Sequence, residues 1–398
     1  MSFFLFSAFL IYISYFFVSK RINKLNLVAD DNSYPYSLKR HYKYCFTIWS
    51  AILVLVIGLA ISNYYLVEKI IILVIGLMFS ASATFILYKK AFNAKKHLEK
   101  ITKFFLITST SCGIVITFLI TFSILFEAIR FFDIVSIWQF LFGISWNPQI
   151  AVHEGQGLGN SSFGMIPVLL GTLLITFVAL SVAIPLGLMG AIYLAEYASS
   201  KTRKIIKPVL EILAGIPTVV YGYFAVIMVA PFLKGFFSGF GVDIASESAL
   251  AAGLVMGIMI TPFILSLCDD AINAVPNSLQ DASLALGSTK SEMIKKVVLI
   301  AAFPNIISSI LLAFSRAIGE TMIVVMAAGL VAKLTINPLD SVTTATAQIV
   351  TLLVGDQDAS SPKTLAAFAL GLVLFVLTLI FNIIALVVVK KYDRKYGV

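Results

Sequence analysis

Long apolar runs, separated by short polar and often basic segments, set the pattern of this chain. Nine runs are long enough to cross a bilayer, which takes about 20 residues. They fall near 2–18, 46–62, 69–88, 104–126, 165–194, 208–233, 248–268, 305–330 and 364–389. The pattern predicts an all-α, polytopic membrane protein. The first run lacks a basic leading segment and a small-residue cleavage site, so it is expected to be a retained helix and not a signal peptide.

Two blocks differ in texture. Residues 1–103 carry three plain spans with no charge at mid-membrane, whereas residues 104–398 carry six spans rich in Gly and Pro, such as Ile184-Pro185-Leu186-Gly187, Ala214-Gly215-Ile216-Pro217 and Thr261-Pro262. Proline removes a backbone donor and kinks a helix. Inside a membrane the freed carbonyl needs a neighbouring helix or a wet cavity. That clustering points to a bundle that moves or lines a path. No period of 20–50 residues signals a repeat.

One polar interruption, 269–304, is far longer than a turn requires. Pro276 is suited to a helix start, and the segment Ser278–Leu286 continues it. Gly287 then supplies a left-handed C-cap. Ser288 or Thr289 caps a second helix, with Glu292 placed for a capping box. Leu279, Ala282, Ala285 and Leu286 leave an apolar face to bury. Such an element either rests on the membrane surface or docks on a cytoplasmic partner. Two loops on the other side are also long. Phe131–Leu141 within 127–164 reads as an interfacial helix with aromatics at headgroup level, and Ser341–Val354 reads as a stretch that lies flat or re-enters.

Composition agrees with the pattern: 60% of residues are hydrophobic and 12% charged, against about 25% charged in soluble domains. The net charge of +9 reflects topology and not a nucleic-acid partner. Of 29 Lys and Arg, 23 lie in 19–44, 89–103, 195–207, 269–304 and the tail 390–398, and all the others except Arg316 lie in the alternate loops. By the positive-inside rule the first set is cytoplasmic, the N-terminus outside and the C-terminus inside. Cys45, Cys112 and Cys268 and His41, His97 and His153 are scattered, so no metal site or disulfide framework is expected.

Arg316 falls near the centre of the eighth run, where an arginine costs about 2.5–3.5 kcal/mol unless it faces protein or water. Glu320 follows at i+4, within reach on the same face. The two form either a self-neutralising bridge or part of a polar pathway. A buried pair adds little stability over apolar residues, so its retention points to function. An arginine fork matches phosphate oxygens bidentately; if this span faces a pore, Arg316 is the natural anion contact and Glu320 its resting counter-ion, with Thr321 beside them on the pathway. Glu211, at the start of the sixth run, reads either as a first-turn carboxylate favouring the helix dipole or as a pathway residue.

These residues also carry a resemblance. Asp281, Ala282, Ser283, Gly287, Val297, Leu299 and Ile300 resemble the Glu-Ala-Ala loop of ABC importer permeases, with Asp for Glu, Ser for Ala, Val for Ile and Ile for Pro. The stretches Pro167–Thr172, Ile184–Gly187, Ala191–Tyr197, Leu213–Gly222 and Arg316–Met322 resemble the phosphate-specific ABC transporter permeases. Trp146-Asn147-Pro148 and the Arg-Ala-Ile-Gly-Glu-Thr-Met form bring the chain closer to the C-type subunit. The resemblance covers about 104–395.

It implies a six-helix importer permease core at 104–398, with the coupling loop at 269–304, preceded by a three-span extension of unassigned role at 1–103. It implies a cell (inner) membrane subunit that passes inorganic phosphate. The implied partners are a second homologous permease, two ATPase subunits and an extracytoplasmic phosphate-binding protein. Asp281, Ala282, Leu286 and Gly287 would contact the ATPase. The chain has no Gly-x-x-x-x-Gly-Lys-Ser/Thr, so it is expected to hold no cofactor itself, ATP–Mg belonging to the partners. Other readings are a permease for sulfate or molybdate, a polytopic membrane enzyme, which would want clustered carboxylates and histidines, and a non-transporting scaffold of the same build.

Overall fold

The computed structural model describes residues 94–148, 162–354 and 361–396. The expected spans 2–18, 46–62 and 69–88 lie outside the described residues. Among the described residues six helices are long and apolar enough to cross a bilayer, and each overlaps one of the six runs expected from residue 104 onward.

The chain divides into two units at Leu119–Ile120, inside one continuous helix, α1 (Ala94–Phe132). The middle of α1 carries no charged residue over 104–126 and is exposed on every face, as at Phe118, Leu119 and Phe122. A helix of that kind meets lipid, not water. After it come α2 (Ile137–Phe142), a two-residue hairpin of β1 (Trp146–Asn147) and β2 (Ser162–Phe163), and α3 (Ile166–Ile192). The hairpin is antiparallel, with Trp146 opposite Phe163. Phe131, Phe140, Trp146 and Phe163 interlock edge to face with ring centroids 5.2–6.4 Å apart, the geometry the ring quadrupoles favour. The indole of Trp146 donates to Gln348 Oε1 at 2.9 Å. The segment expected to lie wholly at the headgroups is therefore divided. Phe131 and Phe140 are core residues, while Trp138 and Phe142 stack on the exposed face.

The centre of the bundle is the crossing of α3 with α7 (Ala249–Asn273). Gly253 and Gly257, a small-xxx-small pair, let α3 approach closely. A Cβ on Gly253 would sit 2.6 Å from Val178 Cγ1, and one on Gly257 2.8 Å from the Ala179 carbonyl. Around this contact Ile175, Ala183, Met256, Ile260 and Ile264 are fully buried. Pro262 interrupts the α7 ladder, and the neighbouring Thr261 hydroxyl donates to the Gly257 carbonyl at 2.8 Å.

Two expected spans are each divided in two. The run 208–233 is not one helix. α4 (Ser200–Ala214) is an amphipathic helix with no buried residue, and the span begins afterwards with α5 (Thr218–Phe224), a π-turn at Ala225–Val229 and α6 (Ala230–Ser238). Pro217 explains the break, because it offers no amide and pushes the residue before it out of helical conformation. Glu211 therefore lies near the end of an exposed helix instead of at the start of a span.

The run 305–330 is likewise divided. α8 (Asn277–Ala285) and α9 (Lys290–Met293) lead through a π-turn at Ile294–Val298 into α10 (Leu299–Ile318). The chain breaks at Gly319–Thr321 before α11 (Met322–Ala327). A continuous helix would send the Met322 and Ile323 amides to the carbonyls of Ile318 and Gly319. The Glu320 carboxylate takes them instead, at 3.1 and 3.4 Å, and such side-chain competition ends helices.

Gly329 and Leu330 then adopt positive φ, 93° and 54°. Gly329 is required there, since a Cβ would lie 2.5 Å from Ser341 Oγ. α12 (Ala345–Leu353) follows, with Ala345, Thr346, Ala347, Gln348 and Leu352 buried. Of the stretch Ser341–Val354, expected to lie flat or re-enter, residues 342–348 are buried in the protein, while Leu353 and Val354 at its end are exposed. α13 (Pro362–Tyr396) completes the described chain.

Candidate functional site

Arg316 lies two residues before the end of α10. Its guanidinium carbon stands 5.1 Å over the ring of Phe263, and one nitrogen lies 3.9 Å from the Met259 sulfur. Met259 and Phe263 flank the midpoint of α7, so the charge sits at half the depth of the bundle. The side chain is exposed, and among the described residues it forms no ion pair. A ring face attracts a cation, but by only about 0.5–2 kcal/mol. Arg316 is therefore a held but electrically uncompensated donor fork.

The expected pair with Glu320 is not made. Beyond Ile318 the chain leaves helical register, and Glu320 is committed to the first amides of α11. Its side chain is nearly buried, 9% exposed, and its backbone carbonyl accepts from the Thr346 hydroxyl at 2.8 Å. Thr321 is half-buried and donates to the Gly319 carbonyl at 3.3 Å. The break is thus fixed from both sides, by Glu320 on α11 and by α12 behind it. α11 in turn packs on α5, where a Cβ on Gly222 would meet Met326 Sδ at 2.9 Å and the Met322 carbonyl at 3.2 Å. Glu211 is exposed on α4 and makes no ion pair among the described residues. The structure does not bring it to Arg316.

At the other end of α10 the local signals of the sequence are realised. α8 closes with the Gly287 amide on the Leu284 carbonyl at 2.9 Å and the Ser288 amide on the Ser283 carbonyl at 3.3 Å. This paired closure needs a left-handed residue, and Gly287 has φ +85°. Thr289 and Glu292 form the reciprocal capping box. No residue of α8 is buried: Asp281 and Ala282 are exposed, and so are Leu279, Leu284 and Leu286, the last at 90%. These leucines are thus exposed on and just after a short helix at one end of α10. Lys290, just after the turn, donates to the Glu196 carbonyl and lies 4.9 Å over the Tyr197 ring.

Sequence reasoning missed a charge cluster between α4 and the end of α7. The Asp269 carboxylate, 2% exposed, accepts from Arg203 at 2.8 and 2.9 Å, from Lys207 at 3.1 Å and from the Asn273 amide at 2.9 Å. Arg203 also donates to Asn273 Oδ1 at 3.0 Å, and Lys207 to Asp270 at 3.0 Å. The bond to Asp270 is the main reason the Lys207 ammonium is held above its ordinary pKa, against partial burial. The available signal was a pair of i,i+4 spacings, Arg203/Lys207 and Asp269/Asn273, which put each set on one helix face.

A family model described as "Binding-protein-dependent transport system inner membrane component" matches residues 183–394. The "Probable ABC transporter permease protein YqgH" of Bacillus subtilis is 36% identical over 248 residues, 62% of this chain and 76% of that protein. The "Phosphate transport system permease protein PstC" of Mesorhizobium japonicum is 31% identical over 282 residues, 65% of this chain and 80% of its own length. The protein of the same description from Haemophilus influenzae is 30% identical over 302 residues, 69% of this chain and 90% of its own length.

Proposed function

The chain belongs to the family of binding-protein-dependent transport system inner membrane components, and from that premise we propose that it is a permease subunit of an ATP-driven importer of inorganic phosphate. The observation that carries the substrate is Arg316. A guanidinium at half depth, exposed and without a carboxylate partner among the described residues, costs several kcal/mol in hydrocarbon unless water or an anion reaches it. Its fork matches two oxygens of a tetrahedral oxyanion. The similarity to phosphate permeases supports phosphate over other oxyanions.

The permease pairs with a second homologous subunit, whose surface completes the path beside Arg316. It sits on two ATPase subunits, which bind ATP–Mg, and it receives phosphate from an extracytoplasmic binding protein. Its N-terminus is outside and its C-terminus cytoplasmic, so that α8 projects into the cytoplasm. There Asp281, Ala282 and Leu286 contact an ATPase, and the Gly287 turn sets the angle at which that contact enters α10. Displacement of α8 moves α10 and changes the side to which Arg316 is open. Arg316 binds and releases the anion electrostatically, and no bond in it is made or broken.

The test is reconstitution of the complete complex in vesicles with radiolabelled phosphate, with sulfate and molybdate as competitors. Saturable, ATP-dependent phosphate uptake resisting a large excess of both competitors is the expected result. Uptake of sulfate or molybdate in preference to phosphate would overturn the substrate, and absence of all three would overturn the transport reading.

A further inference from the structure

Asp269 is the last acidic group of α7 that is buried, and it precedes α8 by eight residues. A buried carboxylate is costly unless paired and fully hydrogen-bonded, and this one is satisfied almost wholly by a different element. Both cations that hold it, Arg203 and Lys207, come from α4. Besides the clamp, α4 rests Ile206 and Leu210, both half-buried, against the core. It has no buried residue, and Ile205, Val209 and Ile212 are exposed along its outer side. Its own C-terminal end runs directly through Gly215-Ile216-Pro217 into α5, where Tyr221 donates back to the Leu213 carbonyl at 3.1 Å. α5 then carries Gly222, the residue on which α11 packs, and α11 is capped by Glu320. A continuous set of contacts thus leads from the base of α8 through Asp269, Arg203 and α4 to α5, and on to the break beside Arg316. It runs parallel to the covalent route through α10.

We propose that Asp269 is a positioning residue for coupling, and that its clamp on Arg203 and Lys207 makes α4 move with the base of α8 so that one displacement reaches the Arg316 break from two sides. This rests on the reading of α8 as the ATPase contact. The clamp suits such a task better than an apolar contact does. Arg203 meets both carboxylate oxygens and the Asn273 amide oxygen at once, so sliding or rotating α4 breaks several directed bonds together, whereas apolar surfaces slip. Pro217 and Gly215 supply the joint at which α4 passes that motion to α5.

The experiment measures ATP hydrolysis and phosphate uptake together in vesicles holding the complete complex, for the wild type and for Asp269→Asn, Arg203→Gln and Asp269→Glu. The proposal expects hydrolysis to persist in Asp269→Asn and Arg203→Gln while uptake per ATP falls on the order of tenfold, within the usual range of coupling between two sites. Asp269→Glu, which keeps the charge, retains most of the coupling. An unchanged ratio, or a parallel fall in both activities, overturns the positioning role. A wild-type complex that moves no oxyanion overturns the transport reading instead. In that case spin labels at Lys204→Cys and Asn277→Cys, in a Cys45→Ser, Cys112→Ser background, still test the clamp. A single narrow distance that broadens in Asp269→Asn supports it, and a distance unaffected by Asp269→Asn overturns it.

Discussion

The Arg316 guanidinium lies over the ring of Phe263, 5.1 Å from its centre, at the level where α7 is halfway along its length. Phe263 is half-buried and Arg316 exposed, so the ring is the platform and the arginine lies on its open side. The interaction holds the fork in place without neutralising it, which an ion pair with Glu320 would have done.

Arg316→Ala removes the only charge at that depth of α10 and is expected to abolish phosphate uptake while the complex still assembles. Arg316→Lys keeps the charge but loses the planar fork, and should leave weak uptake. Phe263→Leu removes only the platform, worth about 0.5–1 kcal/mol, and should weaken apparent affinity by a few-fold. Uptake assays on purified, reconstituted variants, with subunit stoichiometry checked, decide each case. Near-normal uptake by Arg316→Ala would remove the pathway role.

Glu320 is a cap and not a counter-ion in this arrangement. Glu320→Ala strips the first amides of α11 of their acceptor and should cost about 1–2 kcal/mol of stability. Glu320→Gln keeps an acceptor oxygen and should recover most of it. Thermal unfolding of the detergent-purified protein checks the order. If Gln is as destabilising as Ala, the charge itself matters more than the cap.

The α5–α11 contact leaves little room for a side chain at Gly222. A Cβ there lies 3.3 Å from the Ile323 Cα and 3.2 Å from the Met322 carbonyl, both backbone atoms that cannot rotate away. Gly222→Val should destabilise the protein by about 1–3 kcal/mol and displace α11. The same thermal measurement, combined with loss of uptake, reads it.

Gly287 presents the opposite case. Nothing lies within 4 Å of a Cβ there, so Gly287→Ala pays only the left-handed backbone strain, about 1–2 kcal/mol. Gly287→Pro fixes φ near −65° where +85° is needed, and it removes the amide given to Leu284. Membrane insertion should be intact in both, with uptake per ATP hydrolysed falling sharply in the proline variant alone. Normal coupling in that variant would discount the turn.

Asp340 gives the pH dependence. The Thr335 hydroxyl, first, and the Lys333 ammonium hold its carboxyl below the ordinary range, through bonds of 2.6 and 3.0 Å. A lowered pKa stabilises the loop above the unfolded value, near pH 4, and that contribution disappears as pH falls through the folded value. Limited proteolysis of the segment 331–340 should stay slow at pH 5 in the wild type and accelerate in Asp340→Asn, which mimics the protonated acid.

The sequence by itself determined what is local. Apolar runs located all six described spans, because a helix in hydrocarbon must be about 20 apolar residues long whatever its neighbours are. Gly287 and the Thr289/Glu292 box were legible because caps close over three or four residues. The tertiary structure decided the rest. Arg203 and Asp269 are 66 residues apart, and Trp146 and Gln348 202 apart; only packing chooses such partners, since many other polar groups lie at comparable separations. Arg316 and Glu320 show the limit even at short range. Spacing placed them one turn apart on a helix, but the amides of Met322 and Ile323 competed for the same carboxylate and ended the helix between them. The sequence located a charge expected at mid-membrane, and among the described residues the fold gives it no ion pair.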